Sequence, residues 1–185
     1  MHMSELRTAV LKRTYASLID VPVMSNVVRG DFAECLVGIA LGDKWSMTTT
    51  WESWDLKHQD GWKLEVKQSA QLQVWHTPGD LRIERAKLRF DIAKRKTYWR
   101  GERRVAQQGR IADLYVFAAH TDITDLADQR EPSQWRFYVV PEARLPNQKS
   151  IALSRLKQMT GEVPIEGLEA QVKTALEELG SPKPV

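Results

Sequence analysis

The strongest constraint on this chain is the segment His58-Gln59-Asp60-Gly61, set between two strand-like runs. Upstream, residues 48–57 are rich in Thr and Trp, and downstream, residues 62–68 alternate apolar and polar side chains. An Asp-Gly pair between such runs is a strong hairpin signal, because glycine accepts the positive φ that tight turns need. Two antiparallel strands joined by a tight turn are therefore predicted. Alternation then puts Glu65 and Lys67 on one face and Leu64 and Val66 on the opposite, apolar face. Pairing about the turn lets Asp55 approach Glu65, whereas a slip of one residue would turn it away.

That grouping has a chemical consequence. Two carboxylates brought together repel, and one has its pKa raised unless a cation intervenes. A hard divalent ion such as Mg²⁺ or Mn²⁺ is commonly held by one or two carboxylates, with waters and phosphate oxygens completing its shell. Lys67 would add a positive point charge beside it, able to position a nucleophile or neutralise a transition state. The bland alternative is a surface ion pair between Glu65 and Lys67, worth little. Glu34 interrupts the otherwise apolar stretch 32–41. It either faces solvent on a partly exposed helix or reaches the hairpin as a third carboxylate, since an unpaired buried carboxylate is costly.

Elsewhere, residues 5–19 read as an amphipathic helix stopped before Pro22, and 30–41 as a more buried helix ended by Gly42. Segment 80–95 satisfies a helical period at Leu81, Ile83, Leu88 and Ile92, and also a strand alternation at Leu88, Phe90 and Ile92. The apolar run 111–118 suits a central strand. Residues 135–140 suit another strand, 154–159 a short helix, and 165–179 a final helix before Gly180. This order predicts an α/β fold, a small mixed β-sheet flanked by helices, with Val66, Leu114 and Val116 in its core. At 185 residues and 42% hydrophobic, the chain suits one domain over 1–185 with its core at about 29–179. With 28% charged residues and no apolar run approaching the length of a membrane span, a soluble protein is expected, and the lack of disulfides fits a reducing cytoplasm. The single cysteine, Cys35, excludes a disulfide framework and a cysteine-rich zinc site. Its apolar setting predicts a buried, inert thiol.

The order Gly30-Asp31-Phe32-Ala33-Glu34, Trp54-Asp55 and Glu65-Val66-Lys67-Gln68-Ser69-Ala70 resembles the PD-(D/E)XK, or restriction-endonuclease-like, nuclease superfamily. The stretches Ser69–Trp75, Arg110–Phe117 and Trp135–Val139 look like a bacterial branch of it. The resemblance runs from about Arg29 to the final helix and is most specific between Trp54 and Trp75. It implies a restriction-endonuclease-like core and a Mg²⁺-dependent endonuclease-like activity on DNA. By match, Asp55 and Glu65 would be metal ligands, Lys67 the catalytic lysine, and Glu34 an auxiliary ligand or orienter. Trp54 replaces the proline of the superfamily's name, which lowers the specificity of the match. Many restriction enzymes of this superfamily are dimers, so a homodimer is compatible with it.

Several residues have two readings. Gln71 would hydrogen-bond phosphate or an attacking water if the strand continued past Ser69, and otherwise is a solvated polar position. Segment 81–110 holds eleven Lys/Arg against three Asp/Glu. It is either a solvated face or a phosphate-contacting surface, the latter drawing on Arg100, Arg103 and Arg104. Asp113 is expected in a core ion pair or hydrogen bond, and His76 in a structural role. Trp45, Trp51, Trp54, Trp62 and Trp75 are expected to pack the core or rim a cleft near the hairpin. Two alternatives stand beside the nuclease: a nucleic-acid-binding protein of the same fold without hydrolysis, and a subunit of a larger defence or repair complex.

Overall fold

A computed structural model describes residues 2–48, 52–76, 80, 82–100, 103–106 and 109–183, without the side chains of Arg85, 98–100 and 103–104. In chain order the elements are α1 (Met3–Leu18), α2 (Asn26–Leu41), β1 (Trp45–Met47), β2 (Leu56–His58), β3 (Lys63–Ala70), α3 (Arg82–Arg85) and β4 (Arg89–Asp91). There follow β5 (Tyr98–Arg100), β6 (Arg103–Val105), β7 (Leu114–His120), β8 (Trp135–Pro141), β9 (Ser150–Ala152), α4 (Leu153–Met159) and α5 (Leu168–Leu179).

The main sheet has the order β1-β2-β3-β7-β8, mixed because β3 and β7 are parallel and the other pairs antiparallel. The fold is therefore α/β, a small mixed sheet flanked by helices. The predicted hairpin forms between β2 and β3, with Leu56 opposite Leu64 and Lys57 opposite Lys63. Gly61 takes φ +93° at the turn, and the His58 amide donates to the Trp62 carbonyl at 2.9 Å.

Two apolar layers sit on the two faces of the sheet. On one face Leu64, Val66, Leu114 and Val116 pack with Ala33, Val37 and Leu41 of α2 and with Leu168, Val172 and Ala175 of α5. On the other, Tyr115, Phe117, Tyr138 and Val140 pack with Phe90, Ile92, Ile151 and Leu156. The three expected core residues all lie in the first layer. Alternation on β3 is what divides them, sending Leu64 and Val66 to the helical side and Glu65 and Lys67 to the other.

Three expectations change. Residues 48–57 do not form one strand: β1 ends at Met47 and β2 begins at Leu56, with bends at 53–55 and residues 49–51 outside the description. Segment 80–95 contains both of its alternatives, the single turn α3 and the strand β4. Cys35 is exposed, not buried. The buried residues of α2 are Arg29, Ala33, Val37 and Leu41, a stripe at i, i+4 spacing that leaves Cys35 outside it. Burial of the sulfur's surroundings, with Glu34 and Asp31 adding, still holds its pKa above the usual thiol value. The thiol thus stays a poor nucleophile despite its exposure.

No helix among the described residues is long and apolar enough to cross a membrane.

Candidate active site

The site begins where β2 stops pairing. The Asp55 amide donates to the Leu64 carbonyl at 3.0 Å, continuing the ladder by one step. Beyond it the chain bends, so the Val66 amide on that edge has no backbone acceptor to face. The Asp55 carboxylate fills the role: Val66 N–H donates to Oδ2 at 2.7 Å. A buried amide must be satisfied somewhere, and here its satisfaction pins a carboxylate beside the strand that carries Glu65. No other protein hydrogen bond reaches the Asp55 side chain among the described residues.

Glu65 and Lys67 project together on the same face of β3, with side chains 17% and 25% exposed. They form a direct ion pair, Lys67 Nζ to Glu65 Oε1. Burial would pull the Lys67 pKa down, but Glu65 and then Asp55 outweigh it and hold it above the usual lysine value. Lys67 is accordingly a cation at neutral pH. Asp55 behaves in the opposite sense. Burial, then Glu65, then Glu34 push its carboxyl up to about 8, against the pull of Lys67 and the Val66 amide. Glu34, half-buried on α2, is also raised, by burial first, then Asp31 and Glu65, with Lys67 opposing. Residues from α2, the bend before β2, and β3 thus share one electrostatic cluster.

Whether a hard cation fits can be judged from the donors. Asp55 is an acid made difficult to ionise by its own neighbours, the condition a cation relieves. Its Oδ1 has no protein partner among the described residues. Against this, no three His, Cys, Asp or Glu side chains among the described residues converge closely enough to enclose an ion. The residues therefore fit a site of one or two carboxylates, the pattern usual for Mg²⁺. They do not form a closed three-carboxylate cage. Glu34 is electrostatically coupled to the pair without completing such a group.

A cleft of about 30 Å³, lined by Glu65, Lys67, Asp91, Arg95, Arg110 and Tyr115 among others, opens on this face. Asp91, at the end of β4, adds to the field that holds Lys67 charged. It is paired with Arg95 at 2.5 Å. Arg95 and Gly109 exchange backbone hydrogen bonds of 2.9 Å each, so the two walls of the cleft mouth are tied together there. Lys94, Arg95 and Lys96 are exposed at this lip. Asp91 and Tyr115 are not evident from the sequence. Tyr115 lies hidden in a near-continuous apolar run, and the signal that finds it is its register position directly beside Glu65 on the neighbouring strand.

The remaining candidates separate from this cluster. β3 ends at Ala70, so Gln71 does not extend its face; its side-chain Nε2 donates to the Ile83 carbonyl at 2.9 Å. The side chains of Arg100, Arg103 and Arg104 lie outside the description, although Arg100 pairs with Arg103 across β5 and β6. Asp113 has the structural role expected, accepting from the Lys63 and Lys183 amides at 2.8 Å each. His76 accepts from the Gln73 amide. Trp54 and Trp62 are buried, and Trp75 is 64% exposed; Trp51 is outside the described residues.

Comparison with known protein families and with curated proteins finds no match for the chain. Among solved structures it is similar to a bacterial homing endonuclease, with a TM-score of 0.42 and 18% sequence identity, over 84% of this chain and 96% of that one.

Proposed function

We propose that this chain is a metal-dependent phosphodiester hydrolase of the PD-(D/E)XK type, cleaving DNA in an endonuclease-like manner with Mg²⁺ or Mn²⁺. The observation that carries this reading is the pinned Asp55 carboxylate beside Glu65, with the Lys67 ammonium on the same strand face. A pure ion pair needs no second buried acid, and a second acid held at about 8 is a standing electrostatic cost.

Asp55 and Glu65 would hold the cation, with Glu34 as an auxiliary acid near them. A divalent ion there supplies Lewis acidity and charge neutralisation at a phosphodiester. Lys67, being protonated, serves as a charge and hydrogen-bond donor to a phosphate oxygen, not as a proton acceptor. With Glu65 engaged by a cation, Lys67 would be free to turn from that carboxylate to a phosphate oxygen. In the net reaction the water oxygen bonds to phosphorus as one P–O ester bond breaks, and the proton the water gives up balances the one the leaving oxygen takes up. The exposed Lys94, Arg95 and Lys96 at the cleft lip supply positive charge where a phosphate backbone would run.

The closed Lys67–Glu65 pair favours one other reading, a DNA-binding protein in which the lysine quenches the acid and no cleavage follows. The two are separated by incubating purified protein and plasmid with Mg²⁺ or Mn²⁺. A nuclease nicks the plasmid, and Lys67→Ala abolishes nicking while DNA binding survives. Binding without cleavage under either metal selects the second reading.

A further inference from the structure

The aromatic ring of Tyr115 needs no functional explanation. It packs in the apolar layer behind β4 and β9, 24° from parallel to Phe117 at a centroid distance of 5.9 Å. A phenylalanine would fill that place equally well. The hydroxyl is what asks for a reason. Tyr115 is 5% exposed, and among the described residues its hydroxyl has no hydrogen-bond partner. The hydroxyl is not fully enclosed: it keeps access to the cleft, where water can hydrate it until a ligand oxygen takes that place.

Its position supplies the reason. Glu65 and Tyr115 are register partners on the parallel strands β3 and β7, so their side chains stand next to each other on one face. Lys67 follows two residues on from Glu65 on that same face, and all three line the same cleft. A phenol remains protonated at neutral pH and is therefore a donor where carboxylates can only accept. The stacked ring fixes the direction of its C–O bond, so a bond made there needs little reorganisation.

We infer that Tyr115 is a further catalytic residue, its hydroxyl donating a hydrogen bond to a non-bridging oxygen of the phosphate undergoing cleavage. This rests on the phosphodiesterase reading above and adds to it a donor from the neighbouring strand. Lys67 and Tyr115 then hold the phosphate from two strands, which fixes its orientation as well as its charge.

The test compares wild type, Lys67→Ala and Tyr115→Phe in single-turnover cleavage of a labelled DNA duplex, with thermal melting, Mn²⁺ titration and DNA binding measured on each. Tyr115→Phe is expected to slow cleavage by about 10- to 100-fold, the scale of one missing oxyanion donor. Melting, Mn²⁺ affinity and DNA affinity should stay at wild-type values. A substrate with one non-bridging oxygen replaced by sulfur, a poorer acceptor, should slow the wild type in one stereoisomer and leave Tyr115→Phe insensitive to it. A merely structural tyrosine would not abolish that selectivity. Wild-type cleavage that depends on Lys67 but is unchanged by Tyr115→Phe overturns this inference alone. A rate loss that comes with lower melting or weaker Mn²⁺ binding, or an unchanged sulfur selectivity, overturns it as well. Absence of any Lys67-dependent cleavage overturns the nuclease reading and removes this inference with it.

Discussion

Asp55 carries the clearest consequence of burying an acid and then setting other acids beside it. Its carboxyl is raised to about 8 from the 3.8 of an unperturbed aspartate. The folded protein therefore binds that proton more tightly than the unfolded chain does. The associated stability is complete below pH 3.8 and is lost as pH rises through about 8. Metal-free protein should lose resistance to urea steadily across that interval, and Asp55→Asn should flatten the loss. Saturating Mn²⁺ should restore stability at the alkaline end, because ligation favours the ionised carboxylate. A wild-type urea profile as flat as that of Asp55→Asn would show that the carboxyl is not buried against its neighbours.

At the scale of elements, α2 and β3 are joined by an unusual tie. Arg29 is 1% exposed yet meets no carboxylate among the described residues; its guanidinium donates to Gln68 Oε1 at 2.7 Å, Gln73 Oε1 at 2.9 Å, Asn26 Oδ1 at 3.1 Å and the Met24 carbonyl at 3.2 Å. Burial lowers its pKa to about 10, which still leaves it charged. Removing it strands several acceptors, so Arg29→Ala should cost about 2 kcal/mol or more in urea unfolding. Less than about half that would mean the cluster is solvated in solution. Nothing in the order of residues marks this arginine as part of the core, because α2 is apolar on most sides and periodicity alone cannot pick its buried stripe. The same ambiguity hides the exposure of Cys35. The hairpin, β7, β8 and α5 are legible, since period, turn residues and helix ends agree there. The break between β1 and β2 is not. Strand propensity reports neighbours as much as backbone, and nothing in residues 48–57 reveals that a carboxylate will take over the ladder at Val66.

For the whole molecule, topology decides where the chemistry can occur. The parallel β3–β7 pair carries Glu65, Lys67 and Tyr115 to one face, while α2 and α5 close the other. The Glu65 and Lys67 positions are readable from alternation; the cleft is not, because it needs β4 and the 109–111 segment to arrive from far along the chain. The exposed lysines at its lip give a testable electrostatic footprint. Replacing Lys94 and Lys96 by Gln should weaken DNA binding and lower the slope of log affinity against log salt by about 0.9 for each duplex phosphate that is no longer neutralised. An unchanged slope would place the DNA elsewhere. The proposed hydrolysis requires Asp55 and Glu65 to act on one cation. Calorimetric titration of the protein with Mn²⁺ tests that directly: a saturable site is predicted, absent from both Asp55→Asn and Glu65→Gln. Heat that persists in those variants, or no heat in the wild type, would contradict it.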